Sequence, residues 1–321
     1  MLKFFAQRIS ASLLHRFRGT RWDRCIFFLL RCLRKILLKC GDPLVSYRIG
    51  KFTLFLPFSH DLPLVARAHP RYNTNLARIA RYVNEKYADL TIIDIGANIG
   101  DSAAFIRNET VAPILCLEGN RLFFDILQTN ITSLPNVSTE CIYVGAETGV
   151  IHAGIETHSG TSRLTLDGTR ETPVSIKALN DIVKRWPRFQ QSKLIKIDTD
   201  GLDIPIIRGS IGFLAASKPV LFFEYDPAFF APLSQDGLSI FKNLHQIGYT
   251  FALVYDNLGD LMITTYIDDE RLLEDIHEYF VGWQSGRYCD ICLFAGEDLD
   301  LAQKIRASEQ LFCKENRKNQ L

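Results

Sequence analysis

The sequence predicts an α/β protein: a doubly wound, mostly parallel, seven-stranded sheet of the Rossmann-like kind, with a helical extension at its N-terminus. Three observations predict it. Short apolar runs alternate with segments of helical period from residue 90 onward, the pattern of a parallel sheet covered by helices. The first run, residues 90–101 (LTIIDIGANIGD), passes from strand to glycine turn to helix start. Acidic residues close several runs, at Glu118, Asp198 and Glu224, and ligands of such sheets gather outside the carboxyl ends of the strands.

Composition sets the outer limits. A chain of 321 residues, 47% hydrophobic and 23% charged, can bury a sizeable core in one large or two modest domains. The net charge of +1 hides an asymmetry: residues 1–40 hold ten Lys or Arg and one acid, so they carry +9 and leave −8 for the rest. A mildly acidic body does not suggest a nucleic-acid enzyme. Eight scattered cysteines show no paired framework, which fits a reducing compartment and a cytoplasmic protein. Cys116 and Cys141 are expected in buried strands as small hydrophobes. Cys289 and Cys292 have redox or metal spacing, but they lie in a strand-like run that points them to opposite faces.

The elements follow in order. Residues 1–45 form a basic, amphipathic helical extension, and residues 46–321 one domain. Between Trp22 and Cys40, Trp22, Ile26, Leu29, Leu30, Leu33, Ile36 and Leu37 recur at helical spacing, with Arg24, Arg31, Arg34, Lys35 and Lys39 on the other side. No uncharged run of about 18 residues exists, so this is not a membrane span. Two alternatives stand: the helix packs on the body or a second subunit, or it lies on the inner face of an anionic membrane as a peripheral contact.

Residues 46–57 read as a hairpin turning at Gly50 and Lys51, and 73–87 as a helix. Strand 90–95 leads to helix 100–107, strand 113–117, a helix 122–131 capped by Asn120, and strand 137–144 ending at Gly145. Residues 150–173 break the rhythm with His158, Ser159, Gly160, Thr161 and Ser162, either a lid or substrate loop or a surface hairpin. A short strand and helix fill 174–186. Strand 193–198 opens into Asp198, Asp200 and Asp203, and strand 219–223 is closed by Glu224. Helix 238–247, strands 249–255 and 261–265, a polar helix, strand 288–295 and a helical tail complete the chain.

The glycine turn carries the chemistry. Gly96 and Gly100 permit positive φ and close approach, and the helix start offers free N–H groups. Glu118 stands about 20 residues on, where a ribose is held. The spacing Gly96-x-Asn98-x-Gly100 lacks the pyrophosphate fingerprint of a nicotinamide enzyme. With Asp94 before it, the turn resembles motif I of the class I S-adenosylmethionine (SAM) methyltransferases, with Asn98 in place of the middle glycine.

Four segments in order resemble the FkbM family of SAM-dependent methyltransferases: IDIGANIGD (93–101), CLEGN (116–120), LIKIDTDGLDIPIIRGS (194–210) and PVLFFEYDP (219–227). LPFSHDLP (56–63) and SGTSRL (159–164) fit as well, so the resemblance covers about residues 46–295. Where the family commonly shows D-x-E-G-x-E, this chain has Asp198, Asp200, Gly201 and Asp203, each substituted arm one CH₂ shorter. The resemblance implies methylation of a hydroxyl on a small-molecule or glycan acceptor. On that reading Asp94, Gly96, Asn98, Gly100, Glu118, Asn120 and Gly145 hold SAM. Asp198 and Glu224, then His60 and His158, are candidates for base or hydroxyl positioning. Ser159, Ser162 and Asp200 belong to the substrate side. No metal site is expected, although Asp198, Asp200 and Glu224 could gather a divalent ion. The alternative is a non-catalytic scaffold or membrane-associated module of the same fold.

Overall fold

A strand covered on both faces must be apolar throughout, and four strands here meet that demand. The computed structural model describes residues 1–14, 21–158, 160–165, 171–230, 237–281 and 287–318. After helices α1 (Leu2–Leu14) and α2 (Arg21–Leu38), strands β1 (Leu44–Ile49) and β2 (Phe52–Pro57) pair as an antiparallel hairpin. Helices α3 (Leu62–Ala68) and α4 (Thr74–Lys86) lead to β3 (Ile92–Ile95), α5 (Asp101–Glu109), β4 (Ile114–Glu118), α6 (Arg121–Ile131) and β5 (Val137–Cys141). Then come β6 (Tyr143–Gly145), β7 (Gly149–His158), β8 (Thr161–Thr165), β9 (Thr172–Ala178), α7 (Leu179–Arg185) and β10 (Leu194–Ile197). The chain continues through α8 (Asp203–Gly209), α9 (Ile211–Ser217), β11 (Val220–Tyr225), α10 (Pro227–Phe230) and α11 (Ser239–Gln246). It closes with β12 (Tyr249–Asp256), β13 (Leu261–Tyr266), α12 (Glu270–Phe280), β14 (Cys289–Ala295) and α13 (Leu299–Lys318).

The main sheet runs β13-β12-β14-β11-β10-β3-β4-β5. From β11 to β5 all neighbours are parallel, while β14 is antiparallel to both β11 and β12. Every residue of β3, β4, β10 and β11 is buried. The chain moves outward through β3, β4 and β5, then returns to start β10 beside β3. That reversal opens a crevice at the carboxyl ends of β3 and β10. Seven strands match the expected sheet, and an eighth, β13, extends its edge through a hairpin with β12.

Three expectations need correction. The strand foreseen at 137–144 is two: β5 closes the edge of the main sheet, and β6 joins a second sheet of order β6-β9-β7-β8. Cys141, on that edge, is exposed rather than buried, whereas Cys116 on interior strand β4 is buried. Arg34 does not share the solvent face of α2. Its guanidinium turns to the body, donating to the carbonyls of Phe58 (3.1 Å), Ser59 (2.6 Å) and His60 (3.3 Å) and pairing with Asp61 at 2.9 Å. The first helix packs on the body. Ala6 shares a buried cluster with Val45, Leu56, Phe58, Ile99 and Phe123. Among the described residues no helix is long and apolar enough to cross a membrane.

Candidate active site

The turn after β3 is built by three left-handed residues, Gly96 (φ 76°), Asn98 (φ 47°) and Gly100 (φ 87°). A Cβ at Gly96 would collide with the carbonyl oxygen of Asp198, so glycine lets the ends of β3 and β10 touch. Gly100 begins α5 beside Leu127. The turn aims the Asn98 N–H at Glu118 Oε2 (2.8 Å), and the Asn120 N–H meets Oε1 at 2.7 Å. Burial raises the Glu118 pKa, and these two N–H groups oppose that rise.

Two adjoining cavities open on the crevice. The first, about 50 Å³, is lined by Glu118, Tyr143, Val144, Ser162, Leu164 and Leu202. The second, about 280 Å³, is lined by His60, Tyr72, Lys196, Glu224 and Tyr288. Gly96, Asn98, Asp198 and Asp200 belong to both walls.

Lys196 is the charge that organises the floor. Only 4% exposed, its Nζ reaches the Gly96 carbonyl at 2.9 Å, Asp94 at 3.2 Å and Asp198 at 3.3 Å. Burial works to lower its pKa, but Asp198, Asp94 and Asp101 raise it well above the ordinary value, so it stays protonated. Sequence reasoning passed over it as one residue of a buried strand. The signal was there: a lysine inside an apolar four-residue run needs a buried partner.

Beyond Lys196 the chain gathers acids. Asp200 sits at φ 53° with its pKa raised to about 7, first by burial and then by Asp198 and Asp203. Asp203 begins α8 and accepts from the N–H groups of Thr199 and Gly201, both at 3.2 Å, with its pKa raised by burial to about 6. Glu224, at the end of β11, is pushed well up by burial and by Asp198 and Asp200, and its Oε1 has no partner. His60 is 8% exposed, with its pKa lowered by burial to about 4. Its Nδ1 accepts the Leu62 N–H at 3.2 Å, while Nε2 has no partner. The neutral ring therefore carries its proton on Nε2. Among the described residues no group of three or more His, Cys, Asp or Glu is arranged to hold a metal ion.

The β7–β8 hairpin forms a wall over the crevice. Asn98 Nδ2 donates to the Gly160 carbonyl (2.8 Å), and Asn120 Nδ2 to Ser162 Oγ (2.7 Å). A Cβ on Gly160 would collide with the His60 ring.

Gly96, Asn98, Glu118, Ser162, Asp198, Asp200, Glu224 and His60 thus come together around the two cavities. Four residues foreseen at the cofactor do not line either one. Asp94 is fully buried beneath the floor against Lys196. Asn120 spends Oδ1 on the Leu122 N–H at 2.9 Å, as the cap of α6. Gly100 shapes the turn, and Gly145 packs against Ile176 because β6 belongs to the second sheet. Ser159 and the side chain of His158 lie outside the described residues.

Residues 94–251 match the family described as the Methyltransferase FkbM domain. Among solved structures the chain is similar to the FkbM methyltransferase of Methylobacillus flagellatus KT, at 17% identity and a TM-score of 0.35, over 53% of this chain and 43% of that one. The chain therefore spans less than half the length of that relative. It is also similar to the precorrin-6y C5,15-methyltransferase of Geobacter metallireducens GS-15 (13% identity, TM-score 0.34, 65% and 80% covered). A third is an O-methyltransferase of Bacillus cereus solved in complex with SAH (10% identity, TM-score 0.35, 68% and 80% covered). No curated protein matches this sequence.

Proposed function

We propose that this chain, whose residues 94–251 match the Methyltransferase FkbM domain, moves the methyl group of SAM onto a hydroxyl of a sugar, glycan or small secondary metabolite. The observation that carries the reading is the pair of adjoining cavities, one holding a preset carboxylate and the other a buried, unpartnered one.

The residues present fit the cofactor. Glu118 has an N–H on each oxygen and keeps further lone pairs for the two ribose hydroxyls. Tyr143, Val144, Leu164 and Leu202 supply apolar walls for an adenine. Asn98 leaves a buried Oδ1 without a partner, an acceptor available to the amino-acid end. When bound, SAM supplies an electrophilic methyl on a sulfonium.

The protein's own part is to seat and deprotonate the acceptor in the second cavity. Glu224, kept protonated by burial and its acidic neighbours, orients the acceptor oxygen through its free carboxyl. His60 assists as a neutral Nε2–H donor and not as a base. Asp198, shared by both cavities and ion-paired to Lys196, takes the hydroxyl proton as the new C–O bond forms.

Calorimetry with S-adenosylhomocysteine tests the cofactor half. Wild-type protein is expected to bind, and Glu118→Ala to bind about 1–3 kcal/mol more weakly. No binding by the wild type overturns the reading. Metabolite and glycan profiles of a deletion strain, missing one methyl on one compound, would identify the acceptor.

A further inference from the structure

Among the described residues, nine of the eighteen exposed large apolar side chains fall in the first 36 positions. On α2, Trp22, Ile26, Leu29, Leu33 and Ile36 follow one another at steps of four, three, four and three, which sets them in one line along the helix. All five are exposed, from 43% at Ile26 to 80% at Trp22. One flank of this line faces the body, where Leu37 and Leu38 pack on the cluster of Val45, Leu56 and Phe58 and Arg34 grips the segment that follows β2. The other flank carries Arg24, Arg31, Lys35 and Lys39, all exposed.

We propose that α2 docks on an anionic lipid surface, with its apolar line inserted at the headgroup boundary and its basic flank against the phosphates. The helix is not apolar enough to cross a bilayer, and its three-faced pattern is that of a helix lying in the interface plane. Charge selects the occupant. Residues 1–40 carry +9 while the remainder carries −8. A second copy meeting this line face to face would press two such basic segments together, whereas an anionic membrane presents acyl chains and negative charge on one surface.

Docking would also set the acceptor site at the membrane. Arg34 runs from α2 to the carbonyls of Phe58, Ser59 and His60 and to Asp61, and His60 and Asp61 line the second cavity. One wall of that cavity is therefore held by the helix that meets the lipid. The surface stands independently of the methyl-transfer reading, because its test needs no catalysis.

The full chain is sedimented with vesicles of mixed phosphatidylglycerol and phosphatidylcholine and, in parallel, with pure phosphatidylcholine vesicles. Binding is expected to the anionic vesicles, falling with added salt. L29E/L33E, which alters two exposed side chains, should lower partition by at least about tenfold, and Lys35→Ala by about fivefold. Circular dichroism spectra and thermal melts confirm that the variants stay folded. No anionic preference, or equal binding by L29E/L33E, overturns the proposal. So does light scattering, without lipid, that shows a dimer which L29E/L33E dissociates.

Discussion

The two sides of the crevice are made from the same kind of strand end and end up in opposite electrostatic states. On the β3–β4 side the donors are already in place. Glu118 has a backbone N–H on each oxygen, and Asn120 is spent on the cap of α6 and on Ser162. On the β10–β11 side, Asp198, Asp200 and Glu224 crowd around one buried lysine that Asp94 also claims. There Asp200 is raised to about 7, and Glu224 has a carboxyl oxygen with no partner. On the first side Glu118 is already held before any ligand arrives, with Asn98 Oδ1 left as an open acceptor. The other is left with unmet hydrogen bonds that an acceptor would complete, which is where preorganised polar groups serve chemistry.

The contrast breaks most visibly at Lys196, whose removal leaves Asp94 buried and unpaired. Lys196→Met should cost about 3–5 kcal/mol in urea unfolding, and adding Asp94→Asn should recover part of it. An unchanged midpoint would mean that the floor is not held by this charge.

Asp200 sharpens the acidic side. Its carboxyl sits at about 7, above the ordinary 3.8, so the native state favours the protonated form. That contribution is complete below about pH 4 and is lost as pH rises through 7. Asp200→Asn has no proton to lose, and asparagine tolerates the left-handed backbone there. The variant should gain about 1–3 kcal/mol near pH 8 and little near pH 4 in thermal melts. A gain independent of pH would remove the charge explanation.

The smallest effect belongs to the satisfied side. Asn120→Ala should cost about 1 kcal/mol as a lost helix cap, and it also cuts the bond to Ser162. Amide exchange in β7 and β8 should then quicken while the main sheet is unaffected. Equal protection in the two proteins would show that the hairpin is held by something else.

What could be read in advance was local. The β3–turn–α5 unit, the Glu118 position and the alternation of elements all follow from short-range patterns. That Asp94, Gly100, Asn120 and Gly145 do not line either cavity could not be read in advance, because a motif gives spacing along the chain and not which atoms already have partners. The break at Ile142 was hidden because continuous β character says nothing about which sheet a residue joins.

The same limit separates the two kinds of knowledge at the N-terminus. Residue order alone determined that α2 is amphipathic and basic, since a period of 3.6 follows from helix geometry. Only the tertiary structure decided that Arg34 turns inward and that the line from Trp22 to Ile36 is left uncovered. Periodicity specifies which face is apolar. What covers a face depends on how elements distant in sequence pack, and nothing in the helix itself encodes that.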